Sequence, residues 1–114
     1  MYDNRNESLV PVSGWPIQRI DDVIDLVKVI ASDRRVKRFY IGRGVDLNDR
    51  RSKHDADHII ATYETDSREH AMQIEEMLIP RFYEHPKNVN TALDARGGSS
   101  DEWVNYVYVA IWWT

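Results

Sequence analysis

The segment from Trp103 to Trp113, WVNYVYVAIWW, is the most strand-like part of this 114-residue chain. Successive side chains of a strand point to opposite faces of a sheet, and here neither face is polar. The odd positions hold Val107, Val109, Ile111 and Trp113, and the even positions hold Tyr106, Tyr108, Ala110 and Trp112. A strand of this kind is typical of the interior of a sheet with both faces covered. The sequence therefore predicts a sheet built around this strand and flanked by helices.

The remaining pattern predicts two more strands and three helices. We expect a helix at 21–32 capped by Asp21 or Asp22, followed by a strand at 36–42. A second helix is expected from the Asp46 cap to about residue 57, and a second strand at 59–64. A third helix is expected from the Ser67 cap to about residue 79, where Pro80 ends or kinks it. A loop covers 88–100. The expected fold is α+β, with a small antiparallel sheet of about three strands. Residues 1–15 are predicted to be a flexible arm, and 16–114 a single domain.

Composition restricts the class of protein. Apolar residues make up 42% of the chain and charged residues 30%, which is typical of a soluble globular domain. There is no cysteine, so disulfides and thiolate metal sites are excluded. The N-terminal segment lacks the apolar core of a signal peptide, and no apolar run reaches membrane-spanning length. We expect a cytoplasmic protein that does not contact a membrane.

The charge is unevenly distributed along the chain. Between Arg34 and His54 there are eight Lys or Arg and two Asp, a net charge of +6, whereas the whole chain has a net charge of −4. This segregation favours a local phosphate-binding face on an otherwise acidic protein. A solvated helix face beside a strand edge protected by charge explains the same distribution equally well.

Glu75 is the most unusual position on the third predicted helix. At 100° per residue it falls within the apolar stripe formed by Ala71, Ile74 and Leu78, whereas Glu76 falls outside it. A carboxylate facing the core is costly unless it is paired, hydrogen-bonded or bound to a metal. It therefore predicts a functional carboxylate, a structural ion pair, for example with Arg50 or Arg51, or a position at the edge of the stripe from which the carboxylate reaches solvent.

An ordered set of residues resembles the GIY-YIG endonuclease superfamily. Tyr40-Ile41-Gly42 is followed by Leu47 at the fifth step after Gly42, by Arg50 at the eighth, and by His54 four residues later. A strand then precedes a helix with Ala71, Glu75 and Ile79, and Asn90 follows. The similarity covers about residues 36–90. Members of this superfamily include phage homing endonucleases, an excision-repair incision subunit and restriction enzymes.

The resemblance implies a metal-dependent endonuclease with assigned roles. Arg50 would bind a phosphate oxygen and His54 would contact phosphate or move a proton. Glu75 would hold Mg²⁺ or Mn²⁺, and Tyr40 would help to deprotonate water once Arg50 and the metal had lowered its pKa. The other implied site residues are Asn90, which would support the site, and Gly42, Arg43, Arg51 and Lys53, which would lie at the phosphate. The expected partner is nucleic acid, DNA rather than RNA.

One part of the family pattern is missing, because no Gly-Ile/Val-Tyr strand precedes Tyr40. We expect the C-terminal strand to take its place beside the strand at 36–42, with Tyr106 or Tyr108 replacing the absent tyrosine. Near the end of that strand, Trp112 or Trp113 is a candidate to stack on a base or a partner.

A second interpretation remains open. A fold relative with an altered catalytic centre would act as a binding protein, for example a phage-encoded inhibitor or accessory factor. A second copy of the chain in a homodimer, or a protein partner, would then supply specificity. The same would hold for a nuclease that has no nucleic-acid recognition domain of its own. A purely structural oligomerisation module is a third possibility. The cell is expected to be bacterial, with or without an infecting phage.

Overall fold

The computed structural model describes residues 9–91 and 104–114. These residues form α1 (Pro16–Ser32), β1 (Val36–Gly44), α2 (Leu47–His54), β2 (His58–Thr65), α3 (Arg68–Phe82) and β3 (Asn105–Trp113). The three strands form one antiparallel sheet with the order β1-β3-β2. The last strand therefore lies inside the sheet and next to β1, as predicted, and the α+β class is confirmed.

The two faces of β3 are covered differently. Val107, Val109 and Ile111 lie in the main core with α1 and α3, where each is fully buried. Tyr108 and Ala110 lie on the opposite face in a smaller cluster with Ala56, which Tyr40, Leu47 and Trp112 partly cover. We call these the α1/α3 face and the α2 face of the sheet. The predicted alternation along β3 is thus correct.

The start of α1 differs from the prediction. The helix begins at Pro16 rather than at Asp21, and its N-cap residue is Trp15, whose side chain makes no capping hydrogen bond. Proline is favoured in the first helical turn because its fixed φ suits the helix and the N–H it lacks would have no helical partner. Val23, Ile24, Val27 and Ile30 are buried on one face of the helix, as their spacing predicts.

The caps of the other two helices are as predicted. Asp46 accepts a hydrogen bond from the Asp49 N–H at 3.0 Å, and Ser67 accepts one from the His70 N–H at 3.2 Å. α2 ends at His54, because Asp55 adopts the left-handed conformation with φ 52°. Of the two outcomes predicted for Pro80, an end or a kink of α3, the end does not occur. The helix continues to Phe82, which is buried in the main core.

Both outer edges of the sheet carry additional backbone contacts. Val12 bridges β2, donating to the Thr62 carbonyl and accepting from the Glu64 N–H, each at 2.9 Å. Asn88 bridges Phe39 at the free edge of β1. The described part of the predicted N-terminal arm is therefore attached to β2. None of the helices in the described residues has the length and hydrophobicity needed to cross a bilayer.

Candidate active site

The site is built around Gly42 on the α2 face. Gly42 lies opposite Tyr108 in the β1–β3 register, and the Tyr108 ring passes directly over it. A Cβ atom at residue 42 would lie 2.6 Å from the Tyr108 hydroxyl oxygen and 2.9 Å from Cε1 of Tyr40. Only glycine leaves room for both phenol rings at this point of the sheet. Tyr108 is thus the tyrosine that the C-terminal strand brings beside Tyr40.

Tyr40, His54 and Tyr108 form one cluster. The imidazole of His54 lies 4.5 Å from the Tyr40 ring, centroid to centroid, and its Nε2 is hydrogen-bonded to the Tyr108 hydroxyl at 2.9 Å. His54 reaches this position because it is the last residue of α2, directly before the left-handed Asp55 that turns the chain toward β2. The cap at Asp46 and the turn at Asp55 therefore set where the imidazole lies.

Arg50 lies beside the same cluster. It is one helical turn before His54 on α2, so the two side chains share a face of the helix. Its side chain packs against Gly44, where an added Cβ would meet Nε of Arg50 at 2.9 Å. The Arg50 charge acts on the pKa of His54, Tyr40 and Tyr108. Among the described residues, Arg50 forms no ion pair, so its guanidinium is available to an anion.

Glu75 is buried and paired with Arg43, not with the arginines of α2. Nε of Arg43 donates to Oε1 of Glu75 at 2.7 Å, and the two side chains are only 7% and 2% exposed. Arg43 reaches α3 because it lies on the same face of β1 as Phe39 and Ile41. The structural ion pair left open by the sequence is therefore present, with a different partner from the two considered. Arg43, expected at the phosphate, is instead committed to Glu75.

The pKa values of both phenols are raised, which is opposite to the lowering that Tyr40 would need in order to act as a base. Burial, followed by the charge of Glu75, raises the pKa of Tyr40 above 10, although Arg50 acts in the opposite direction. Burial also raises the pKa of Tyr108, against the lowering effect of Arg50. Both tyrosines are therefore neutral donors at neutral pH. Arg50 alone therefore does not lower the pKa of Tyr40 below its ordinary value. The further lowering by a metal ion, on which the assigned role also depends, stays a prediction.

His54 has the opposite tendency. Burial, and then the nearby charge of Arg50, lowers its pKa below 6.5. The imidazole is therefore neutral at neutral pH and has one ring nitrogen able to accept a proton. This makes His54, rather than Tyr40, the better proton acceptor of the site.

Asn90 supports the site from the free edge of β1. Its Oδ1 accepts a hydrogen bond from the Ile41 N–H, and its Nδ2 donates to the Ile41 carbonyl, both at 2.9 Å. The side-chain amide thus pairs with β1 as a neighbouring strand would, one residue before Gly42. Asn88 donates to the same Oδ1 at 3.1 Å, which fixes the orientation of the amide.

Besides Arg43 and Glu75, three of the expected residues lie outside this cluster. Arg51 is exposed, and its charge acts on His58 rather than on His54. Lys53 is exposed and pairs with Asp49 at 3.2 Å. Tyr106 lies opposite Gly44 and lines a separate hollow with Val45, Asp46, Leu47, Asn48 and Val104. The structure brings together Tyr40, Gly42, Arg50, His54 and Tyr108, with Asn90 behind them.

In this conformation Glu75, the expected metal ligand, is not open to a divalent cation. Magnesium prefers oxygen ligands, and proteins usually bind it through one or two carboxylates together with water and substrate phosphate. In residues 9–91 and 104–114, no three His, Cys, Asp or Glu side chains are grouped so as to hold a metal ion. Glu75, the expected ligand, is buried and its Oε1 is occupied by Arg43. The chemistry that these residues can supply is phosphate binding and proton transfer.

Two contacts were missed in the sequence, and only the first had a partial signal. Alternation along β1 places Arg43 on the face of Phe39 and Ile41, and it could have identified the partner of Glu75. Arg38 and Trp112 lie opposite each other on the α2 face, with the guanidinium 5.3 Å from the indole centroid. That pair depends on the β1–β3 register, which the sequence alone does not determine.

In comparisons with known proteins, no family model, curated protein or solved structure matches this chain.

Proposed function

We propose that this chain is a small endonuclease of the GIY-YIG type, which hydrolyses phosphodiester bonds of nucleic acid on the α2 face of its sheet. One observation carries the proposal. Arg50, His54, Tyr40 and Tyr108, which come from three different elements, converge around Gly42. A cation, a neutral imidazole and two protonated phenols in one place match what phosphodiester hydrolysis requires.

Arg50 is the phosphate ligand in this proposal. Its guanidinium has planar donors that suit two nonbridging phosphate oxygens. It is half-buried beside the cluster, where its charge is screened less than that of a fully exposed side chain. The neutral phenol of Tyr40 would donate a further hydrogen bond as negative charge develops on the phosphate, while the hydroxyl of Tyr108 is engaged with His54.

His54 is the proton acceptor. A water oxygen attacks phosphorus while the bond to the leaving oxygen breaks, and the leaving oxygen keeps the electron pair. The proton of the water passes to the Tyr108 hydroxyl as Tyr108 gives its own proton to Nε2 of His54 across their 2.9 Å contact. The leaving oxygen then takes a proton from solvent. Tyr108 is neutral before and after, which agrees with its raised pKa.

Glu75 and Arg43 act from behind the site. Their ion pair lies under the end of β1 that carries Gly42 and Gly44, and the Glu75 charge helps to keep both phenols protonated. The dependence on Mg²⁺ or Mn²⁺ remains a prediction, since Glu75 would have to exchange Arg43 for the ion. The proposed setting remains the cytoplasm of a bacterium, with DNA as the preferred substrate and selectivity from a partner or a second copy.

The test is nicking of supercoiled plasmid and cleavage of short RNA by the purified chain, with parallel arms in Mg²⁺, Mn²⁺ and EDTA. Replacing Arg50 with Ala should reduce the cleavage rate on the order of 10³-fold. The matched control is Arg81→Ala, an exposed arginine on α3. We expect it to cut at the wild-type rate. Equal cutting by Arg50→Ala would contradict the proposal and indicate a contaminating nuclease.

A second candidate function is a nucleic-acid or protein binding module on the same fold. The observation that favours it is the buried Arg43–Glu75 pair, which commits the expected metal carboxylate to a structural contact. Its expected result is no cleavage by the folded wild-type protein in any arm. Binding that is still lost in Arg50→Ala would then assign the α2 face to recognition alone.

A further inference from the structure

Trp112 and Arg38 form an aromatic and cationic pair next to the candidate active site. They lie opposite each other in the β1–β3 register, two positions beyond Tyr40 and Ala110, and therefore on the same face of the sheet. The Trp112 indole N–H donates to the Asp55 carbonyl at 2.9 Å. This bond fixes the orientation of a ring that is only half-buried.

A cavity of about 440 Å³ adjoins this pair. Its lining residues are Arg38, His54, Asp55, Asp57, Val89 and Trp112. His54 lines this cavity and also belongs to the candidate active site, so the two adjoin each other at this side chain. A group bound in the cavity would therefore lie near a phosphate held by Arg50, which is one helical turn before His54.

The chemistry of the lining selects the kind of group that can enter. Indole and guanidinium planes both stack on flat aromatic groups, and stacking on protein side chains is the usual way in which unpaired nucleobases are held. The exposed carboxylates of Asp55 and Asp57 repel phosphate, but they can accept hydrogen bonds from amino groups. Asp57 also accepts the Trp113 N–H through Oδ2 at 2.9 Å, which positions its carboxylate.

We propose that this cavity binds one unpaired nucleobase of the substrate strand, stacked on Trp112 and Arg38, next to the phosphate bound by Arg50. The inference rests on the proposed function and specifies its substrate as a strand that is single-stranded at the cleavage site. Because the carboxylates of Asp55 and Asp57 are acceptors only, the cavity favours cytosine, adenine or guanine, whose exocyclic amino groups each offer two N–H donors, over thymine or uracil, which have only the single N3–H.

The experiment is fluorescence anisotropy at fixed low salt in EDTA, so that binding is measured without cleavage. The probes are a labelled 12-nucleotide cytosine strand, the same length of thymine strand, and an abasic strand of equal charge. Wild-type protein should bind the cytosine strand roughly 5- to 100-fold more tightly than the abasic strand, the range expected for one stacked base. Equal affinity for both would overturn the inference without any variant.

Variants then locate the effect. Trp112→Ala should lose most of the preference for cytosine over abasic strand, whereas Trp112→Phe should keep most of it. Trp15→Ala is the matched control, because Trp15 is 64% exposed and lies outside the cavity lining. Asp57→Asn should reduce the preference for cytosine over thymine. Loss of the base preference in Trp15→Ala but not in Trp112→Ala would refute the assignment.

This result is separable from that of the cleavage assay. A base preference that depends on Trp112, in a protein that cuts nothing, supports the cavity and refutes the nuclease. Cleavage that depends on Arg50, without any base preference, supports the nuclease and refutes the cavity. A wild-type protein that binds none of the strands refutes the cavity as well.

Discussion

The two faces of the sheet differ in how completely helices cover them. On the α1/α3 face, two long helices cover Phe39, Ile41 and the odd residues of β3, and the Arg43–Glu75 ion pair is buried there. On the α2 face, a helix of eight residues with no buried residue leaves Tyr40 half-buried, whereas Tyr108 is 2% exposed. The first face holds the main core. The second leaves the side chains of Tyr40, Arg50 and His54 partly exposed, where a ligand can reach them.

The difference shows how one strand can serve both faces. At alternate positions, β3 presents aliphatic residues to the α1/α3 face and Tyr108 and Trp112 to the α2 face. Changes on the α1/α3 face should therefore affect unfolding, and changes on the α2 face should affect chemistry and binding.

The largest expected effect is on the α1/α3 face. Replacing Arg43 with Met leaves the buried Glu75 carboxylate without its Arg43 partner, and removing one member of a buried pair typically costs about 3–5 kcal/mol. Urea unfolding followed by circular dichroism measures this loss. The double variant Arg43→Met/Glu75→Leu should recover most of it, since no uncompensated charge remains. A loss below about 1 kcal/mol in the single variant would show that the pair is hydrated and that this face is less closed than described.

Paired glycine substitutions test the α2 face. Ala at residue 42 overlaps the ring and hydroxyl of Tyr108, so Gly42→Ala should cost about 1–3 kcal/mol and separate Tyr108 from His54. Ala at residue 44 meets only the flexible side chain of Arg50, so Gly44→Ala should cost less and displace the guanidinium. Thermal unfolding and oligonucleotide binding distinguish the two. Equal unfolding costs would contradict the placement of Tyr108 over Gly42.

The smallest expected effect is a pH dependence of both the stability of the fold and its cleavage activity. The pKa of His54 and that of His58 are both lowered in the folded protein, mainly by burial, from 6.5. The unfolded chain therefore binds more protons just below pH 6.5, and the free energy of unfolding falls as pH falls through this window. The pKa of Asp33 is lowered to about 2, mainly by its hydrogen bond to Arg35, so this carboxylate affects the free energy of unfolding only below about pH 4.

The measurement is urea unfolding at several pH values between 5 and 8. His54→Asn should make this dependence shallower, and His58 should account for the slope that remains. Any cleavage activity of the wild type should also decline below pH 6.5, because protonated His54 cannot accept a proton. An unchanged slope in His54→Asn would show that the imidazole is not desolvated in the fold.

Local patterns in the sequence predict much of this arrangement. The Asp46 cap and the i, i+4 spacing place Arg50 and His54 on one face of α2, and alternation predicts both faces of β3. The choice between Tyr106 and Tyr108 depends on register across a long connection, which local patterns do not determine. Pro80 shows a second limit. Its local tendency to end a helix is outweighed here by the burial of Phe82 in the core.

The central claim is that the ligand binds on the α2 face at Gly42. The most direct measurement is a ¹H–¹⁵N NMR titration of the full chain with a short single-stranded oligonucleotide in EDTA. We predict chemical-shift changes of the backbone amides of Gly42, Gly44, Arg50 and His54 and of the Trp112 indole N–H, while the amides of α1 remain unchanged. Shifts confined to α1, α3 or the surface around Trp15, with Gly42 and Gly44 unchanged, would contradict it.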